Sequence, residues 1–104
     1  MKLYSWNVNG IRAVLAKGAL QQLITEHDPD ILCLQETKAE RNQFEVDFPQ
    51  YEEHFFSAAK KGYSGTAIFT KIRPLQFVDG FPEDIIARYK VEGDVYGDPN
   101  AEGR

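Results

Sequence analysis

The sequence is poor in the side chains that build disulfides and structural metal sites. Its 104 residues include a single cysteine, Cys33, and two histidines, His27 and His54. One cysteine excludes an internal disulfide, and with only two histidines beside it a structural zinc site is not expected. Because Cys33 lies within an apolar run, we interpret it as a buried structural thiol and not as a nucleophile.

Long apolar runs and an excess of positive charge are also absent. No segment approaches the roughly 18 consecutive apolar residues of a membrane span, and Met1 and Lys2 lead directly into a strand-like segment without a signal-peptide core. We therefore expect a cytoplasmic protein with no membrane partner. The net charge of −4 disfavours non-specific nucleic-acid binding as the main role, although it allows a local basic strip.

Residues 30–38, D-I-L-C-L-Q-E-T-K, organise the rest of the chain. Residues 31–35 form an apolar run of strand length, which suits a strand covered on both faces of a sheet. Glu36 follows where the strand leaves the core, and α/β folds bind ligands at that carboxyl edge. A carboxylate there suits Mg²⁺, but the residue equally fits a solvated loop acid or an acid at the start of a helix.

A strand and a helix precede this segment. Residues 2–8 mix aromatic and β-branched side chains and predict a strand. Residues 11–26 carry apolar side chains at three- and four-residue steps and predict a helix, which Gly18 divides into a short turn and a longer helix. Because the crossover exceeds a dozen residues, the two strands are expected to be parallel neighbours. Asn7 and Glu36, which close them, then lie at the same sheet edge.

Asn7, Asn9 and Arg12 are polar residues at or just beyond the first strand end. Buried amides need partners because an unpaired buried polar group costs roughly 1–3 kcal/mol. The two asparagines either stabilise the turn at Asn9-Gly10 or direct their carbonyl oxygens at a metal or a phosphate. Arg12 either contacts a phosphate or is an ordinary surface cation.

The remainder of the chain predicts further strands. Residues 51–57 and 66–71 are expected to form an antiparallel hairpin, and residues 75–78 a short fifth strand. Between the second strand and the hairpin, a short helix or loop is expected to pack Phe44 and Phe48 inward.

The loop of this hairpin, residues 58–65, reads A-A-K-K-G-Y-S-G. Adjacent lysines beside a tyrosine suit contact with a phosphate backbone and stacking on a base. The same composition fits an ordinary hairpin loop with solvated lysines, so both interpretations stay open.

Three motifs stand in order along the chain: S-W-N-V-N-G-I-R-A at residues 5–13, P-D-I-L-C-L-Q-E-T-K at residues 29–38 and K-K-G-Y-S-G-T-A-I-F at residues 60–69. Together they resemble exodeoxyribonuclease III and its relatives, the class II apurinic/apyrimidinic (AP) endonucleases of base excision repair. The resemblance implies an α/β fold: the amino-terminal half of a DNase I-like four-layer α-β-β-α sandwich, with one mixed sheet and a flanking helix. Residues 1–104 would then be the amino-terminal portion of an endonuclease/exonuclease/phosphatase domain.

The resemblance also implies a function and its residues. The family hydrolyses DNA phosphodiesters with Mg²⁺ or Mn²⁺, at abasic sites in double-stranded DNA and at 3′ ends. Glu36 is implied as the metal-binding carboxylate and Asn7 as the amide beside it, both catalytic, while Asn9 stands where some relatives carry Asp and would support the metal more weakly. The DNA-binding residues that the resemblance implies are Arg12, Lys38, Gly62, Tyr63, Ser64 and Arg104.

The motifs of the family's second half have no counterpart here. The resemblance places an active-site Tyr, an Asp-x-Asn pair and a Ser-Asp-His there, and Asp98 and Asn100 lie in a segment that does not fit them. We therefore expect an inactive, truncated fragment that depends on a missing carboxy-terminal half or self-associates. The alternatives are a non-catalytic DNA-binding or structural remnant, and a phosphohydrolase of the same fold with another substrate.

Overall fold

The protein is described by a computed structural model that covers residues 1–89 and 99–103. Strands and helices alternate at first and a hairpin follows. Two 3₁₀ turns, at Arg41–Gln43 and Pro99–Glu102, complete the described elements. The strands and α-helices are β1 (Leu3–Asn7), α1 (Ile11–Ala16), α2 (Ala19–His27), β2 (Ile31–Gln35), β3 (Glu52–Phe56), β4 (Thr66–Thr70) and α3 (Glu83–Tyr89).

The four strands form one mixed sheet in the order β1-β2-β4-β3. β1 pairs with β2 in parallel, with Asn7 opposite Gln35, so the predicted parallel neighbours are confirmed. β4 is antiparallel to both β2 and β3, which confirms the predicted hairpin. The register places the ends of β1 and β2 side by side, and the start of β4 lies at the same edge because Thr66 pairs with Gln35.

The crossover between β1 and β2 is a broken helix, as the position of Gly18 predicted. Gly18 adopts a left-handed conformation with φ 75° and caps the start of α2. α2 ends at His27. Its C-cap, Asp28, is also left-handed and precedes Pro29, in keeping with the bias of a residue before proline against the right-handed helical region. Across residues 1–89 and 99–103, none of the helices has the length and apolar character needed to cross a bilayer.

The core lies between one face of the sheet and helices α1 and α2. Leu32 and Leu34 of β2 are buried together with Ala67 and Phe69 of β4. Around them pack the apolar face of the broken helix and the inward-facing aromatic side chains, including the expected Phe44 and Phe48. The remaining members of this core cluster are Val8, Ile11, Val14, Leu20, Ile24, Ala39 and Tyr51.

The second face of the sheet is only partly covered within the described residues, so the expectation that β2 is covered on both faces was wrong for this part of the chain. Ile31, Cys33 and Gln35 alternate with buried leucines and are half-exposed. Cys33 is therefore not the fully buried thiol expected from the apolar run. Partial burial still raises the pKa of this thiol, which disfavours the nucleophilic thiolate.

The predicted fifth strand at residues 75–78 was also wrong. The segment forms no ladder, and Leu75 is fully exposed. Its residue Phe77 instead stacks on His54 of β3, with ring centroids 4.0 Å apart. The preceding Pro74 has no N–H to donate to a strand ladder. The contact between Phe77 and His54 holds the segment against the face of the sheet, and the segment does not pair with β3 as a further strand.

An ion pair joins the turn before β2 to the residue that follows β4, at the end of the sheet opposite Asn7. Lys71 Nζ donates to Asp28 Oδ1 at 2.5 Å. This hydrogen bond lowers the pKa of Asp28 and raises the pKa of Lys71. Tyr51 donates its hydroxyl to the carbonyl of Pro29 at 2.5 Å, so the turn before β2 is held by side chains from two later segments.

The difference in burial predicts very different losses of stability when two leucines are replaced by alanine. Leu34 is 1% exposed and Leu75 is 107% exposed. Leu34→Ala should lower the free energy of unfolding by about 2–5 kcal/mol through lost burial and a cavity, while Leu75→Ala should stay within about 0.5 kcal/mol of the parent. Urea unfolding of both variants measures this, and equal losses would contradict the burial pattern.

Candidate metal and nucleic-acid site

The side chains of Asn7 and Glu36 meet at the carboxyl edge of β1 and β2, as the sequence predicted. Asn7 donates from its amide nitrogen to a carboxylate oxygen of Glu36. The amide oxygen of Asn7 accepts the backbone N–H of Asn9 at 3.1 Å. Asn7 therefore stabilises the turn with its amide oxygen and contacts the acid with its amide nitrogen. A contact of its amide oxygen with a metal or a phosphate stays a prediction.

Backbone hydrogen bonds continue the β1–β2 pairing beyond the strands. Gly10 N–H donates to the carbonyl of Glu36 at 2.8 Å, and Ile11 N–H donates to the carbonyl of Thr37 at 2.8 Å. These bonds attach the segment after β2 to the first turn of α1. Because Ile11 and Thr37 are both buried, the packed core holds the backbone that carries Glu36 in place.

Four residues other than glycine at this edge have left-handed backbone conformations: Asn9, Glu36, Lys38 and Ser64, with φ between 47° and 54°. Such conformations are uncommon for residues with a β-carbon and cost of order 1–3 kcal/mol each. They persist where neighbouring contacts over-determine the backbone, and they occur often at functional sites. Their grouping here marks this edge as a candidate site.

Lys38 places a positive charge among the oxygen atoms of the edge. Its Nζ lies 2.5 Å from Asn9 Oδ1 and 3.7 Å from Glu36 Oε1. The side chains of Lys38 and Glu36 are 37% and 43% exposed, so solvent screens this pair and it contributes little to stability. The contact shows that the oxygen atoms of Glu36 and Asn9 converge on one cation.

These donors fit a hard divalent cation. Mg²⁺ prefers oxygen ligands, keeps several waters and commonly takes only one or two protein carboxylates. Glu36 supplies a carboxylate, and Asn7 and Asn9 supply amide groups beside it. Within residues 1–89 and 99–103, no three His, Cys, Asp or Glu side chains group around a common point.

The basic loop lies next to this acid. Lys38 N–H donates to the carbonyl of Ser64 at 2.7 Å, and Thr37 N–H donates to the carbonyl of Gly65 at 3.2 Å. Lys60 Nζ lies 5.5 Å from the centroid of the Tyr63 ring. The loop therefore carries an aromatic face and a cation at the same edge as Glu36.

Four of the six candidate DNA-binding residues, Lys38, Gly62, Tyr63 and Ser64, lie on the two segments that are hydrogen-bonded to each other at this edge. Arg12 is exposed in the first turn of α1. Lys38 lies beside Glu36, and Gly62, Tyr63 and Ser64 form the tip of the loop. Arg104 lies outside the described residues.

Sequence reasoning missed one residue of this edge, Glu102. Its Oε2 accepts a hydrogen bond from the Tyr63 hydroxyl at 2.7 Å. The two residues are 39 positions apart, and no local pattern of the sequence indicates that the segment carrying Glu102 returns to the loop.

Comparison with known proteins agrees with this fold. Residues 4–102 match the model of the endonuclease/exonuclease/phosphatase family, and the chain belongs to that family. Within it, the chain is similar to DNA repair nucleases. It is 50% identical over 80 residues to an exodeoxyribonuclease of Bacillus subtilis (strain 168), a match that covers 77% of this chain and 32% of the relative.

Two further comparisons point the same way. A DNA-(apurinic or apyrimidinic site) endonuclease of Dictyostelium discoideum is 41% identical over 97 residues, covering 91% of this chain and 26% of the relative. The solved structure of an AP endonuclease from Archaeoglobus fulgidus superposes with a TM-score of 0.63 at 32% identity, covering 82% of this chain and 33% of that one. The predicted DNase I-like α/β fold is thereby confirmed, and this chain spans about a third or less of these proteins.

Two glycines of the loop give a matched test of its packing. Gly65 and Gly62 both have positive φ, 93° and 71°. A β-carbon on Gly65 would collide with Thr37 Oγ1, while one on Gly62 would meet nothing within 4 Å. Both alanine variants should be strained, but Gly65→Ala should be about 1–3 kcal/mol less stable than Gly62→Ala because of overpacking.

Urea unfolding of the two variants measures that difference. Equal free energies of unfolding would mean that the loop does not pack against Thr37 as described.

Proposed function

We propose that this chain carries the metal-binding side of a DNA phosphodiester hydrolase of base excision repair, acting with Mg²⁺ or Mn²⁺. The proposed substrate is double-stranded DNA with abasic sites or 3′ ends. The observation that carries the proposal is the contact between Asn7 and Glu36 beside a basic, aromatic loop. The names of the relatives, an exodeoxyribonuclease and an AP endonuclease, support the same substrate class.

Each side chain of the edge has a separate role in this proposal. Glu36 and Asn7 hold the cation, with Asn9 as a weaker support. When bound, Mg²⁺ neutralises charge on the scissile phosphate and stabilises the departing oxygen. Lys38 contacts phosphate oxygens as a point charge and Arg12 through its planar guanidinium. Tyr63 offers its ring for stacking on a base or sugar.

Activation of water needs groups that this sequence does not supply. The Asp-x-Asn pair and the Ser-Asp-His that the resemblance assigns to this task have no counterpart in the 104 residues. We therefore propose that the isolated chain is inactive.

The half-open face of the sheet supports the same view of an incomplete assembly. Leu3 is 65% exposed on this face, beside Ile31 in the next strand. Exposed apolar patches of this kind mark interfaces or association surfaces. We propose that further layers of the family fold, or a second copy of the chain, cover it.

The first test is metal binding to the 104-residue chain. Isothermal titration with Mn²⁺ or Mg²⁺ should show one site in the parent chain, and Glu36→Gln should weaken its affinity by about tenfold or more because the single carboxylate is lost. Glu45→Gln is the matched control, since Glu45 is an exposed carboxylate that lines a separate hollow with Arg41, Phe44, Val46 and Asp47. Unchanged affinity in Glu36→Gln would refute the proposed ligand.

The second test is nuclease activity. The purified chain should not cleave an abasic-site duplex in the presence of Mg²⁺, because a missing general base and missing charge-stabilising groups each cost roughly 10²–10⁴-fold. The DNA-(apurinic or apyrimidinic site) endonuclease of Dictyostelium discoideum serves as the positive control. Cleavage by the 104-residue chain that disappears in Glu36→Ala would overturn the proposed inactivity while confirming the role of Glu36.

A further inference from the structure

The basic loop is held from two sides by segments far apart in the chain. On one side, residues 37 and 38 donate their backbone N–H groups to the carbonyls of Gly65 and Ser64. On the other side, two hydrogen bonds join the segment at residues 99–103 to the loop. Ala59 N–H donates to the carbonyl of Ala101 at 2.9 Å, and the Tyr63 hydroxyl donates to Glu102 Oε2 at 2.7 Å.

Gly103 shows how closely the second segment approaches. A β-carbon on Gly103 would lie 2.5 Å from the backbone nitrogen of Ala58 and 2.8 Å from Cα of Gly65. Gly103 also has a positive φ of 73°. Because the backbone of this segment packs directly on the backbone of the loop, it fixes the position of the neighbouring Glu102 relative to Tyr63.

We propose that Glu102 is a positioning residue for Tyr63 in DNA binding. The carboxylate holds the tyrosine hydroxyl, and the ring therefore keeps one orientation at the loop tip, where it is 44% exposed and where Lys60 lies over it. A pre-oriented ring loses less conformational freedom when a base or sugar stacks on it. This inference rests on the proposed function, because it assigns Tyr63 a contact with DNA.

The charge of Glu102 makes the proposal distinguishable from simple electrostatics. A carboxylate beside a phosphate-binding loop repels DNA, so removing it should tighten binding if charge alone mattered. The positioning role has the opposite sign, because loss of the acceptor removes one of the contacts that orient the ring and so weakens binding. Glu45→Ala is the control for charge, since it also removes one negative charge. Glu45 is exposed and lies outside the loop.

The orientation of Tyr63 is measured first, without DNA. The chain is labelled with 3-fluorotyrosine, and the Tyr63 resonance is identified by its disappearance in Tyr63→Phe. Glu102→Ala should shift and sharpen that resonance, whereas Glu102→Gln should restore it because the amide oxygen still accepts the hydroxyl hydrogen bond. The urea midpoint is recorded alongside for every variant.

DNA affinity is measured next by fluorescence anisotropy with an abasic-site duplex at low ionic strength. Glu102→Ala should weaken binding about threefold to tenfold despite the lost negative charge, and Glu102→Gln should bind at least as tightly as the parent. Tyr63→Phe should weaken binding similarly, and the double variant Tyr63→Phe/Glu102→Ala should be no weaker than either single variant.

Each outcome decides a separate point. The positioning role is overturned if Glu102→Ala leaves the Tyr63 resonance unchanged. It is also overturned if the resonance shifts but Glu102→Ala changes the DNA affinity in the same direction and by the same factor as Glu45→Ala. A parent chain that binds no DNA refutes the proposed function, and with it the DNA-binding role of Glu102. Weakened binding in Glu102→Ala that Glu102→Gln restores, with matching resonances, establishes the role.

Discussion

Parallel pairing of β1 with β2 is the constraint on which the rest of the structure depends. The register sets Asn7 opposite Gln35, and three further backbone hydrogen bonds carry the pairing past the strand ends into the first turn of α1. Parallel neighbours deliver their carboxyl ends to the same edge. An amide and an acid that are 29 positions apart in the chain consequently touch.

The strained backbone at this edge is supported by the rigid layer beneath it. Glu36 and Lys38 both adopt left-handed conformations, and the residue between them, Thr37, is buried and bonded on two sides. Alternation along an extended strand would point these side chains to one face of the sheet. The left-handed turn instead aims them across the end of the sheet, where Asn9 and Ser64 from two other segments also lie.

The two faces of the sheet differ in how completely they are packed, and this difference explains why the candidate site lies at an edge. One face carries the packed core around Phe69, which meets the rings of Phe48, Tyr51 and Phe55 edge-on. The other face is half-open and carries Cys33 and Ile68. The chain covers about a third of the Bacillus subtilis and Archaeoglobus fulgidus relatives, and such a face suits packing by further layers, while the edge stays open to solvent.

Hydrophobic periodicity and turn residues are local signals, and by themselves they determined the alternation of β1, the helix broken at Gly18, β2 and the β3–β4 hairpin. The crossover length added the parallel pairing, and from it the meeting of Asn7 with Glu36. Local signals failed at residues 75–78, where Phe77 packs on His54 instead of extending the sheet. They were also silent about Glu102, whose partner Tyr63 becomes a neighbour only when backbone at Gly103 packs on the loop. Contacts of that kind depend on the three-dimensional path of distant segments, which the periodicity of a single segment does not encode, so tertiary structure alone decided them.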